Sequence, residues 1–180
     1  MKYKSAFHLV SSIAKDKNVA LILIGGFAVN EYNYTRSTAD IDFLITENDY
    51  KKIESLLKKE GYFEYDKQSN FIKFQTDSGY LIDIDFMFVD SETMDKISTD
   101  SRKIELAGQP FSIPSLDHLI ALKLHSIKHN PKVRTGKDLI DIIELIAINN
   151  IDISSKKFKD LCLKYGTEEL YNKIVGEFRS

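Results

Sequence analysis

The chain has 180 residues, 43% apolar, 11% aromatic and 29% charged, which excludes collagen-like, disordered and disulfide-scaffold proteins and is enough for a buried core. Its formal net charge of −2 supplies no overall positive field to draw in nucleic acid or an anionic membrane. The charge is unevenly spread: residues 1–100 hold 12 Lys+Arg against 17 Asp+Glu and residues 101–180 hold 13 against 10, so acidic chemistry is concentrated in the first half.

Tyr3, Ala6, Phe7, Val10, Ile13 and Ala14 recur at helical spacing and predict an amphipathic opening helix. Val19–Ile24 is a short unbroken apolar run, as expected of a strand buried on both faces, and Gly25-Gly26 ends it. A short helix from Phe27 to about Tyr32 and a second strand over Ile41–Ile45 follow. Thr46 and Asp49 have the spacing of a capping box, ahead of a helix whose buried stripe is Tyr50, Ile53, Leu56 and Leu57. Phe71–Gln75 and Tyr80–Val89 flank the turn-rich segment Thr76–Gly79 and predict an antiparallel hairpin, which makes the sheet mixed.

A short helix around Ser91–Ile97 precedes a small hairpin, Arg102–Ala107 with Phe111–Ile113, turned at Gly108-Gln109. From Ser115, which can cap a helix, the pattern is helical. Leu116, Leu119, Ile120, Leu124 and Ile127 line one helix, and Leu139, Ile142, Ile143, Leu145 and Ile146 the next. Ser155–Tyr165, stopped by Gly166, and Thr167–Phe178 complete the set. All three prolines lie between residues 110 and 131 and mark a seam. The expected architecture is α+β, with a sheet-containing core over 1–114 and a helical subdomain over 115–180.

A lone Cys162 forms no internal disulfide and fits a reducing compartment, so a cytoplasmic location is expected. The longest nearly apolar run, Val19–Val29, is too short to span a bilayer and is broken by the glycine pair, so no membrane partner is expected. Cys162 shares a helical stripe with Phe158, Leu161 and Tyr165 and reads as packing. His125 and His129 have zinc-compatible spacing but lack a neighbouring Glu or Cys ligand, and read as a solvated helix end. Lys156, Lys157 and Lys159 read as a solvated face, and no stacking aromatic motif for RNA is apparent.

The chemistry gathers around Ile24-Gly25-Gly26, thirteen intervening residues, and Asp40-Ile41-Asp42, with a second acidic strand at Asp83-Ile84-Asp85. Residues i and i+2 of a strand share a face, so each Asp pair projects one way. Carboxylates so placed repel one another unless a cation lies between them, and oxygen-only ligands favour Mg2+ or Mn2+. Three carboxylates from two strands suffice for two ions roughly 3.5–4 Å apart, the arrangement of phosphoryl-group chemistry. Gly25-Gly26 allows close backbone approach and leads into a helix whose free N–H groups can meet phosphate oxygens. Each motif alone is commonly a solvated strand face or a turn, but Asp is disfavoured in strands, and four interleaved with Ile resist explanation as packing.

Gly25-Gly26 followed by Arg36-x-Thr38-x-Asp40-Ile41-Asp42 resembles the signature of the nucleotidyltransferase superfamily related to DNA polymerase beta. Leu23–Asn30 and the later Arg134-Thr-Gly-Lys137-Asp138-Leu-Ile-Asp141 resemble its AbiEii-type toxin branch and stand-alone relatives, over about Val19–Leu145. The resemblance implies a mixed sheet flanked by helices, with Asp40 and Asp42 as catalytic metal ligands and a third carboxylate from the next acidic strand. Asp85, followed by an apolar run, is the choice for it, and Asp83 is the alternative. The implied reaction transfers a nucleoside monophosphate from an NTP to an acceptor hydroxyl and releases pyrophosphate. Gly25, Gly26, Arg36, Thr38, Lys123, Arg134 and Lys137 are the expected substrate-binding residues. A structural ion-pair role for Arg134, Lys137, Asp138 and Asp141 is the alternative. Lys123 sits in the apolar face Leu119–Leu124, so its ammonium must snorkel or find an anion. Implied acceptors are a tRNA end or a cognate toxin or antitoxin protein. The alternatives are an aminoglycoside or lincosamide antibiotic, or a binding module of the same fold without turnover.

Overall fold

A computed structural model describes residues 3–179 and divides them into two compact units, one made of residues up to 28 with 37–115, the other of 29–36 with 116–179. The first unit is built on a five-stranded sheet in the order β1-β2-β5-β4-β3, with β1 at Ile22–Ile24, β2 at Asp40–Ile45, β3 at Tyr62–Lys67, β4 at Phe71–Thr76 and β5 at Asp83–Phe88. Only β2 and β5 run parallel, and their register sets Asp40 opposite Asp83 and Asp42 opposite Asp85. The sheet is therefore mixed, as the sequence predicts.

Alternation along β2 and β5 sorts the two faces of this sheet. Ile41, Phe43, Ile84 and Phe86 are fully buried, while the Asp residues between them are partly exposed on the other side. Phe43 stacks on Phe86 with centroids 5.9 Å apart, and Phe111 lies 5.7 Å from Phe43. The core is closed by α1 (Ala6–Lys17), by α3 (Glu47–Lys59), whose Tyr50 ring packs against Phe74 and Phe86, and by the hairpin of β6 (Arg102–Leu106) and β7 (Gln109–Ile113). Burying each such side chain contributes roughly 1.5–3 kcal/mol, which fixes the register that aligns the carboxylates. α4 (Ser91–Thr99) follows β5 and is capped by Asp90, whose carboxylate accepts from Thr93 N–H.

Several boundaries differ from expectation for local reasons. The first strand covers only Ile22–Ile24, and α2 (Gly25–Asn30) begins directly on the glycine pair. The small hairpin turns at Ala107-Gly108, both at positive φ, so Gln109 is the first residue of β7. Thr46 caps α3 by accepting from Asp49 N–H, while the Asp49 carboxylate engages Lys52 and the Ala20 N–H. Strand β3 was not predicted: burial alternates along it, but only Tyr62 is buried, Phe63 and Tyr65 lie on the exposed face and Glu64 and Asp66 on the inner one, so hydrophobicity does not follow the alternation.

The second unit packs α5 (Leu116–His129), α6 (Pro131–Ile148), α7 (Lys156–Tyr165) and α8 (Glu168–Glu177), with residues 29–36 joined to them. Pro131 sits at the first position of α6, where its missing N–H costs nothing. Ser155 and Thr167 cap α7 and α8. Two asparagines secure residues 29–36: Asn30 clamps Arg36 by accepting from its N–H at 2.9 Å and donating to its carbonyl at 3.1 Å, and Asn149 donates to the Tyr32 carbonyl. Among the described residues, no helix is long and apolar enough to cross a membrane.

Candidate active site

Parallel pairing of two strands that each begin Asp-Ile-Asp brings carboxylates from both onto one face of the sheet. One oxygen each from Asp40, Asp42 and Asp85 lies within 4.8 Å of the others, and all three side chains are partly exposed. Asp83, the other candidate third carboxylate, is set apart by its partner: its Oδ1 accepts from Thr76 N–H at 3.3 Å. Thr38 precedes β2 and its hydroxyl lies 3.2 Å from Asp40 Oδ1, fixing that side chain from the loop side.

Gly25 completes the wall beside Asp42. The antiparallel register pairs Ile24 with Asp42, so the chain turns into α2 directly across that carboxylate. A Cβ at Gly25 would fall 1.8 Å from Asp42 Oδ2, and the residue has φ +63°, so this close approach is open to glycine alone. The glycine that was read as a phosphate-facing turn is thus also in contact with a metal-ligand candidate.

Lys73 of β4, which the sequence reading did not single out, reaches the candidate site. Its Nζ donates to Asp85 Oδ2 at 2.7 Å. Its signal was the antiparallel β4–β5 hairpin, whose register sets Lys73 opposite Asp85. Burial pushes the Asp85 carboxyl above the usual carboxylate range, the Lys73 bond opposes that shift, and the charges of Asp40 and Asp83 add to it. The site therefore holds three converging carboxylates, one ammonium and a backbone wall without a side chain. The donor set, all hard oxygens from two strands, fits a small divalent cation.

Two of the predicted basic residues, Lys123 and Arg36, pair with carboxylates within the second unit. Lys123 is buried, and its Nζ donates to Asp138 Oδ1 at 3.0 Å and to Asp141 Oδ2 at 2.6 Å. Arg36 Nη2 donates to Asp141 Oδ2 at 3.1 Å, and its Nε lies 2.8 Å from Oδ1 without the angle of a hydrogen bond. Two cations and two carboxylates thus neutralise one another out of water, the condition for keeping charge buried. Asp138 and Asp141 pair with Lys123 and Arg36, not with Arg134 and Lys137, and lie well inside α6. Arg134 is half-buried and Lys137 exposed on the same helix.

The remaining sequence candidates read as structure. Cys162 is buried, which pushes its thiol up to about 12. The His125 and His129 rings lie 4.2 Å apart, and burial followed by the charges of His129 and Lys128 pushes His125 down; among the described residues no trio of potential ligands includes either. Lys157 pairs with Asp117, and Lys159 lies over the Tyr171 ring.

The sequence profile of a family of uncharacterised nucleotidyltransferases matches residues 15–175. No curated protein matches. Among solved structures, the antibiotic-resistance factor ANT(2'')-Ia superposes with a TM-score of 0.64 at 15% identity, covering 96% of this chain and 94% of its own. An antigenic nucleotidyltransferase-like protein from Paracoccidioides brasiliensis gives 0.54 at 16% identity, covering 86% of this chain and 83% of its own. The lincosamide antibiotic adenylyltransferase LnuA, bound to lincomycin, gives 0.53 at 14% identity over 77% of this chain and 93% of its own. At these identities the likeness is one of fold.

Proposed function

We propose a reaction for this chain, which belongs to the nucleotidyltransferase family matched above: transfer of a nucleoside monophosphate from an NTP to an acceptor hydroxyl with release of pyrophosphate. The observation that carries it is the convergence of Asp40, Asp42 and Asp85 within 4.8 Å beside Gly25. These three carboxylates would hold Mg2+ or Mn2+, which when bound supplies charge neutralisation at the transferred phosphoryl group and activation of the acceptor oxygen. Thr38 orients Asp40, and the side-chain-free wall of Gly25 leaves room for a nucleotide's phosphates against the backbone of Gly25 and Gly26. In the second unit, Arg36 and Lys123 are engaged by Asp138 and Asp141, which fits the structural ion-pair role for these two cations.

For the acceptor, the resemblance of Arg134–Asp141 to the AbiEii-type branch supports a tRNA end or a cognate protein. A small-molecule acceptor is the second reading, supported by the match to nearly the whole length of ANT(2'')-Ia and LnuA. Incubation with each alpha-labelled NTP and Mg2+, in parallel with total tRNA, host lysate protein, aminoglycosides and lincosamides, separates these readings by which fraction takes up label. Labelled tRNA or protein supports the first reading, and label confined to a drug overturns it in favour of the second.

A further inference from the structure

We propose that Lys73 is a positioning residue of the carboxylate site, holding Asp85 in place and limiting the affinity of the site for a free divalent cation, so that cation and nucleotide bind together. This rests on the reading of Asp40, Asp42 and Asp85 as the metal-holding trio. On β4, Ile72 and Phe74 are fully buried in the core, which turns Lys73 between them onto the carboxylate face. There the registers place it between Asp66 of β3 and Asp85 of β5, and its ammonium bonds Asp85 at 2.7 Å with Lys73 35% and Asp85 17% exposed.

Three ionised carboxylates within 4.8 Å repel one another, and a bonded ammonium removes one of their three negative charges before any cation arrives. The same ammonium opposes an incoming divalent ion. An ion arriving with a triphosphate brings compensating negative charge and meets less opposition. An ordinary surface ion pair would contribute at most about 1 kcal/mol to stability and leave cation affinity untouched. The two accounts therefore separate on a binding constant, not on folding.

The experiment is titration with Mn2+ alone, followed by electron paramagnetic resonance of the free ion, on wild type, K73M, K73Q, K73R and D42N, each checked for folding by thermal unfolding in EDTA. The expected result is Mn2+ Kd values about tenfold lower in K73M and K73Q, with K73R within about twofold of wild type. Adding a non-hydrolysable NTP should tighten Mn2+ binding in wild type by a larger factor than in K73M. Wild-type Kd values in folded K73M or K73Q overturn the role of Lys73 while leaving the trio intact. Equal binding by wild type and D42N overturns the trio, and Lys73 with it.

Discussion

A methyl group at Gly25 would land on Asp42. The Cβ of Gly25→Ala falls 1.8 Å from Asp42 Oδ2, 2.5 Å from its Cγ and 2.9 Å from its Cβ, so the carboxylate or the start of α2 must move by more than an ångström. The φ of +63° adds about 1–2 kcal/mol for an L side chain. With relief of the clash, the total loss is about 2–3 kcal/mol, or a Tm lower by about 4–12 °C at this chain length. Displacing one ligand by that distance should lower the transfer rate about a hundredfold. Gly136→Ala is the matched control: a Cβ there meets nothing within 4 Å, and alanine inside α6 should add about 0.5–1 kcal/mol. Thermal unfolding, Mn2+ titration and labelled transfer on both variants check this. A Gly25→Ala protein with wild-type cation affinity and rate would refute the contact as part of the site.

Other expectations follow from buried charge and burial itself. Because burial raises the Asp85 carboxyl, the native chain binds more protons than the unfolded one between the ordinary and the raised pKa, so stability falls as pH rises through that window. Asp85→Asn should therefore melt higher than wild type in EDTA at neutral pH, with the gain vanishing below the ordinary carboxylate range; a gain independent of pH would contradict the assignment. Lys123→Met leaves Asp138 and Asp141 buried with one cation between them and should cost about 3–5 kcal/mol in urea unfolding, whereas a change under about 0.5 kcal/mol would mean the network is solvated. Cys162, buried with its thiol pushed up to about 12, should resist iodoacetamide in the native protein and react once unfolded in urea.

The mixed α+β architecture follows from local patterns in the sequence, and so does part of the candidate site. Gly25, Asp40 and Asp42 can be named as candidates because strand periodicity and a glycine turn are local, and Asp85 is preferred in the sequence for the apolar run that follows it. What the structure adds on Asp83 and Asp85 is not local: it comes from a parallel register and from Thr76 N–H bonding Asp83. Lys73 escaped for the same reason, since its partner is set by hairpin register. β3 left no readable pattern because its exposed positions carry Phe63 and Tyr65 and its inner ones Glu64 and Asp66, so hydrophobicity runs against the strand's alternation. The link from Arg36 to Asp141 joins residues 105 positions apart, and nothing in the spacing of either predicts it. Lys123 shows the intermediate case: an ammonium on an apolar face demands an anion, and only the packing of α5 on α6 names Asp138 and Asp141.

The central claim is tested most directly by the fate of the two ends of the NTP. With Mg2+ and a competent acceptor, label from the alpha phosphate should pass to acceptor while label from the gamma phosphate leaves in pyrophosphate, and both should vanish with EDTA, Asp40→Asn or Asp42→Asn. A product carrying gamma label, or alpha transfer that survives either substitution, would contradict nucleotidyl transfer at this carboxylate site.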